Sequence, residues 1–164
     1  MNTPFQINEE PNQFSVTRPV TAEEILAMAK QLIHKQFERG QSLTQPDHAR
    51  EFLMLELAML EHEAFYCIFL DNQHRILETK TCFEGSIASA NVYPRELVKQ
   101  ALKLNACAMI LAHNHPSGIA EPSECDRAIT KRLIDALNLV EVRVLDHFII
   151  AGTEQYSFAE HGLL

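Results

Sequence analysis

The fold of this chain is decided by residues 107–126, which read CAMILAHNHPSGIAEPSECD. The first six of these residues are apolar and have the length of a buried strand. Side chains two residues apart on a strand point to the same face, so His113 and His115 can aim both rings at one point. Proline and glycine then break the strand, and a helix is predicted to begin near Ser123 and to run to Leu137.

A metal site is predicted where this strand and this helix meet. Asp126 falls in the first turn of the helix, across a short loop from the two histidines. Imidazole and carboxylate are ligands that zinc accepts, and three protein ligands leave a position for water, as in catalytic sites. His113, His115 and Asp126 therefore predict one Zn²⁺ per chain and metal-assisted hydrolysis. The alternative is a capping box formed by Ser123 and Asp126, which leaves the paired histidines without a role.

The spacing of these residues resembles a known motif. H-x-H-P-x6-S-x2-D is the motif of the JAMM (MPN-plus) metallopeptidases, and this chain fills each of its fixed positions. The resemblance implies that His113, His115 and Asp126 are the zinc ligands. It also implies that Ser123 donates a hydrogen bond to the developing oxyanion, and that the fold is JAMM/MPN-like, with a cytidine-deaminase-like architecture.

The surrounding sequence is most similar to RadC-type proteins of that family. The similarity covers Thr44–Leu164 and rests on four stretches outside and around the motif: Pro94–Glu96, Ala112–Gly118, Val144–His147 and Tyr156–Glu160. Longer RadC proteins carry an N-terminal helix-hairpin-helix region. The residues before Glu63 show no hairpin signature, so the chain resembles a shorter relative.

The family also has a glutamate just before a strand, which acts on the attacking water. Glu63 matches that position, because it directly precedes the apolar run Ala64–Leu70. Glu56 and Glu61 are alternatives on the preceding helix. The alternative without a catalytic role is that Glu63 is simply an exposed residue at a helix-to-strand junction.

The function expected from this resemblance is a zinc metallopeptidase that hydrolyses a peptide or isopeptide bond in a protein or peptide substrate. The alternative is a non-enzymatic interaction module of RadC type, linked to DNA repair or recombination by the family name. A nucleobase deaminase is excluded, because it needs H-x-E and P-C-x-x-C, and neither occurs. The zincin motif H-E-x-x-H is also absent.

Composition limits the other possibilities. The 164 residues carry a net charge of −8, which disfavours general DNA binding, although a local basic patch at Lys99, Lys103, Lys131 and Arg132 stays open. No apolar run spans a membrane and no signal peptide is visible, so a cytoplasmic location is expected. The four cysteines form no C-x-x-C pair.

Two further residues lie close to the motif in sequence or in the resemblance. Cys125 adjoins Asp126 but would point about 100° around the helix from it, so it is not expected to touch the metal. His147 matches a fixed RadC position. Its expected role is a turn or a hydrogen bond behind the ligands, since three ligands are already supplied.

The order of elements predicts one layered α/β or α+β domain with a central mixed sheet flanked by helices. Residues 1–19 are expected to form a flexible arm, residues 20–43 a helix and linker, and residues 44–164 the RadC-like JAMM/MPN domain. Helices are predicted over 21–38, 44–60, 94–105 and 123–137, and strands over 65–70, 76–83, 107–112, 142–145 and 148–151.

Overall fold

A computed structural model describes residues 4–7, 13–43, 45–85 and 92–164. The chain divides into two compact units, Met1–Gln36 and Phe37–Leu164. Within the described ranges, no helix combines the length and the apolar character that crossing a membrane requires.

The first unit contains a two-stranded sheet and one helix. Strands β1 (Phe5–Ile7) and β2 (Phe14–Val16) pair antiparallel, where the sequence analysis expected a flexible arm. Both strands place aromatic and β-branched residues around a polar one, a pattern that suits a pleated strand. Helix α1 (Ala22–Gln36) begins after Thr21, whose hydroxyl accepts a hydrogen bond from the Glu24 backbone N–H at 3.2 Å.

The second unit is a five-stranded mixed sheet with helices on both faces, which confirms the predicted fold class. Its strands lie in the order β4-β3-β5-β6-β7, and only β5 and β6 run parallel. The elements, in chain order, are α2 (Pro46–Leu57), β3 (Ala64–Leu70), β4 (Ile76–Glu84), α3 (Pro94–Leu104), β5 (Ala108–Asn114), α4 (Glu124–Asn138), β6 (Arg143–Ala151) and β7 (Glu154–Ser157).

The central strands are buried on both faces, as their continuous apolar sequences require. One face of β3 and β5, including Phe65 and Leu111, packs with Leu97 of α3 and Leu133 of α4. The opposite face packs against α2, where the Phe52 ring contacts the Tyr66 ring edge-on, with 5.9 Å between the centroids. The sheet therefore separates two layers, and alternate residues of β5 face different helices.

Strand β6 differs from the prediction of two separate strands, 142–145 and 148–151. It runs unbroken through Asp146 and His147. The strand β7, which was not predicted, pairs with β6 at the edge of the sheet. The two polar residues are tolerated because both are satisfied. The Asp146 carboxylate accepts hydrogen bonds from the backbone N–H groups of His147 and Ala159 and from the Ser157 hydroxyl.

Candidate metal centre

The structure brings the three predicted ligands together at the end of β5 and the start of α4. The Nε2 atoms of His113 and His115 lie 3.0 Å apart. Asp126 Oδ1 lies 3.2 Å from His113 Nε2, and Asp126 Oδ2 lies 3.5 Å from His115 Nε2. His113 is fully buried, while the His115 side chain keeps 14% of its exposure. The cluster therefore lies at the bottom of an opening to solvent.

The spacing of these donor atoms suits a small divalent cation. Zinc binds nitrogen and oxygen at about 2.0–2.1 Å, so tetrahedral ligand atoms are about 3.3 Å apart. The separations of 3.0, 3.2 and 3.5 Å lie around that value. His113, His115 and Asp126 also form the one His/Cys/Asp/Glu group with metal-binding geometry among the described residues, and Cys125 is not part of it.

Asp126 serves the helix and the cluster at the same time. Its Oδ2 accepts hydrogen bonds from the Ser123 backbone N–H at 2.7 Å and from the Ser123 hydroxyl at 2.6 Å, and Ser123 Oγ accepts from the Asp126 backbone N–H. This is the capping box that the sequence analysis weighed against a metal site. The two interpretations are compatible, because Oδ1 stays directed toward His113.

A hydrogen bond from His115 to the backbone determines which of its two ring nitrogens has the lone pair. Its Nδ1 lies 2.7 Å from the Ile119 carbonyl oxygen. A carbonyl can only accept, so Nδ1 carries the proton and donates it. In the neutral ring, Nε2 is then left with a lone pair, as metal binding requires.

A longer chain of hydrogen bonds does the same for His113. Thr130 donates its hydroxyl proton to the Asp126 carbonyl oxygen at 2.6 Å, because that oxygen has no proton to give. His147 Nδ1–H must then donate to Thr130 Oγ at 2.6 Å, which leaves His147 Nε2 as the acceptor. His113 Nδ1–H donates to that nitrogen at 2.8 Å, and its Nε2 keeps a lone pair for a metal.

Electrostatics favour this proton arrangement at His113 and His147, whereas at His115 they favour an additional proton on Nε2 in the metal-free protein. Burial lowers the pKa of His113, and burial also holds the pKa of His147 well below its usual range, which favours the neutral form of both rings. The hydrogen bond with Asp126 raises the pKa of His115. Burial acts to raise the pKa of Asp126, but its hydrogen bonds with both histidines and Ser123 outweigh burial and hold this pKa well below its usual range.

Glu63 lies one residue before β3 and is half-buried. Burial lowers the pKa of His113 and the hydrogen bond with Asp126 raises that of His115, and the charge of Glu63 acts in the raising direction on both. Glu61 is exposed two residues earlier. Ser123 is also exposed, and its hydroxyl proton is donated to Asp126. An oxyanion would therefore compete with Asp126 for that proton.

Sequence reasoning missed two residues that the structure places in direct support of the site. Thr130 completes the hydrogen-bond chain behind His113. Asn114, which lies between the two ligand histidines, makes hydrogen bonds to the segment that carries Glu63. The Asp-x-x-x-Thr spacing on α4, one helical turn, is the one local signal that could have found Thr130.

Comparison with known proteins shows the family of this chain. The family model described as "RadC-like JAB domain" matches residues 43–163, which include every residue of the cluster. The chain belongs to the RadC-like JAB domain family. Within that family, the His113, His115 and Asp126 cluster fits a JAMM-type metal-dependent hydrolase.

Several curated relatives match most of the chain. Proteins named "UPF0758 protein" from Vibrio campbellii and "UPF0758 protein VP0184" from Vibrio parahaemolyticus are each 52% identical over 143 residues, which is 87% of this chain and 64% of theirs. A protein of Aliivibrio fischeri, "UPF0758 protein VFMJ11_0123", is 51% identical over 138 residues, or 84% of this chain and 62% of that protein. The match spans less than two thirds of each relative, and these names state no activity.

Proposed function

We propose that this chain is a zinc-dependent hydrolase that cleaves a peptide or isopeptide bond. The observation that carries the proposal is the convergence of two imidazole Nε2 atoms and one carboxylate at His113, His115 and Asp126. Two lone pairs facing each other at 3.0 Å repel unless a cation or a proton lies near them. A cluster with a hydrogen-bonded partner behind each ring is the arrangement that metal sites use to orient their ligands.

The residues around the cluster divide the chemistry of hydrolysis between them. A zinc ion held by the three ligands would lower the pKa of water toward ~7 and polarise the carbonyl of the substrate. Glu63 accepts the proton of the attacking water and passes it to the leaving amine. Ser123 turns its hydroxyl from Asp126 to the oxyanion that forms on the carbonyl oxygen.

The proposed substrate class is supported by a groove that begins at His115. The groove encloses about 480 Å³ and lies between the end of α2 and the loop after β5. Its lining combines apolar side chains with polar ones, and His115 is the member of the metal cluster among them. It is lined by Ala58, Met59, Leu60, Glu61, Asn114, His115, Pro116, Gly118, Ile150 and Gly152.

Metal analysis and a pair of matched variants test this function. Purified protein is expected to hold about one zinc per chain and to cleave members of a peptide and isopeptide library. Glu63→Gln should keep the zinc and lose turnover, because an amide cannot accept the proton. Glu51→Gln, an exposed glutamate on α2 outside the groove, should leave both unchanged.

Two results would reject the proposal. Stoichiometric zinc in both His113→Ala and Asp126→Ala would reject the ligand assignment. Zinc-loaded protein that cleaves nothing in either library would reject the hydrolase and leave an interaction module as the alternative.

A further inference from the structure

Asn114 lies between the two ligand histidines but faces the other side of the sheet. It is the last residue of β5, and only 2% of its surface is exposed. Alternation along the strand turns its side chain away from the metal cluster and toward the end of α2. A polar side chain buried to this degree needs hydrogen-bond partners, and those partners show what it supports.

All polar atoms of the Asn114 amide are used by one short segment, residues 60–64. Its Oδ1 accepts a hydrogen bond from the Ala64 backbone N–H at 2.7 Å. Its Nδ2 donates to the His62 carbonyl at 2.9 Å and to the Leu60 carbonyl at 3.3 Å. The orientation of the amide is unambiguous, since an N–H only donates and a carbonyl only accepts.

These bonds replace a sheet ladder that stops early. The antiparallel pairing of β3 with β5 ends at Phe65 opposite His113. If the register continued, Ala64 would lie opposite Asn114 and Glu63 opposite His115. The Asn114 side chain holds this last part of the segment beside β5 in place of backbone hydrogen bonds.

The segment held in this way carries the glutamate of the proposed mechanism. Glu63 precedes Phe65 by two residues, so the two side chains share a face of the extended chain. The Phe65 ring stacks on the His113 ring with a 6° angle between the planes. Glu63 is therefore directed to the metal side of the sheet, while the next residue, Ala64, is fastened on the other side.

We propose that Asn114 is a positioning residue that sets the place of the Glu63 carboxylate relative to the metal cluster. This inference rests on the proposed function, because it assigns Asn114 the task of placing the proton acceptor. Asn114 acts on Glu63 through the backbone of residues 60–64 and is not part of the metal cluster. A misplacement of about 1 Å at a reacting group lowers the rate by up to about 10²-fold, so loss of the three Asn114 hydrogen bonds should have a measurable effect.

Three variants in the full-length protein separate positioning from general stability. Asn114→Ala removes all three hydrogen bonds. Asn114→Asp keeps the acceptor for Ala64 but sets a carboxylate oxygen against two carbonyls, and it serves if the alanine variant does not fold. Ile110→Val is the control, because Ile110 is buried on the same strand and face and makes none of the hydrogen bonds to residues 60–64.

Two readouts need no turnover. Hydrogen exchange at the Ala64 amide should speed up at least about tenfold in Asn114→Ala, because its buried acceptor is gone, while the Ile68 amide changes little. In Co²⁺-loaded protein, paramagnetic relaxation of the Glu63 carboxyl carbon should weaken in both Asn114 variants as the carboxylate moves away. Ile110→Val should match the wild type in both measurements. Unchanged Ala64 exchange and unchanged Glu63 relaxation in a folded Asn114→Ala protein would overturn the proposal.

Turnover measurements test whether Asn114 acts through Glu63. Asn114→Ala should keep zinc affinity within about twofold and lower kcat by about 10-fold or more, and adding it to Glu63→Gln should cause no further loss, because both changes remove one function. Losses that multiply in the double variant would overturn the proposal. If even the wild type shows no turnover, the proposed function has failed, and the exchange and relaxation measurements alone decide the role of Asn114.

Discussion

Thr130→Val is the most informative single change behind the ligands. Thr130 is 1% exposed and His147 is fully buried, so no water can replace the lost hydroxyl. Valine has nearly the same shape but leaves His147 Nδ1–H without an acceptor. A buried donor without a partner costs about 1–3 kcal/mol. For a chain of this length each kcal/mol lowers Tm by about 2–4 °C, so the metal-free variant should melt about 2–12 °C lower.

The same change should weaken zinc binding beyond its effect on stability. Without Thr130, the His147 proton favours Nε2, and His113 is then driven to place its own proton on the ligand nitrogen. Loss of such a partner behind a ligand lowers metal affinity by about 10–100-fold, or about 1.4–2.7 kcal/mol. Competition with a chromophoric chelator measures this affinity. Thr130→Ser keeps the hydroxyl and should bind zinc like the wild type. Equal zinc affinity in Thr130→Val and Thr130→Ser would refute the reasoning.

Three other outcomes are expected. Asp126→Asn should lose zinc, measured by elemental analysis, whereas Cys125→Ser should retain it, since that thiol lies outside the cluster. Ser123→Ala should lower turnover by about 10²–10³-fold in a kinetic assay, less than Glu63→Gln, and an unchanged rate would remove it from the mechanism. The hydrogen bond with Arg18 lowers the pKa of Glu24 to about 2, so its contribution to the start of α1 is complete above the ordinary carboxyl pKa and is lost as pH falls toward 2. A carboxyl NMR titration of Glu24 with its midpoint near 4.5 would contradict this.

The parts of the site that could be predicted are those written in local spacing. The i and i+2 histidines at a strand end and the Ser-x-x-Asp of a helix start each follow from one element and its periodicity. Their meeting follows from the short loop between them. Local rules of this kind also gave the α2, α3 and α4 helices to within a few residues.

The parts that could not be predicted depend on register between distant segments. His147 reaches His113 because parallel β6 pairs it with Leu111, two residues before His113 on the same face. Asn114 meets Ala64 across 50 positions of sequence. The continuity of β6 was missed because Asp-His in an apolar run resembles a turn unless its buried partners, such as Ser157, are known.

Asp126 has two roles, and this affects how metal-binding members of the family should be recognised. As the N3 acid of a capping box it stabilises α4, and a helix cap is worth about 1 kcal/mol with or without a metal. A relative that had lost its ion would therefore still gain from keeping both the serine and the aspartate. Neither histidine has a helix-capping role of this kind. Retention of His-x-His, rather than of Ser-x-x-Asp, is thus the feature by which metal-binding and metal-free members should be told apart.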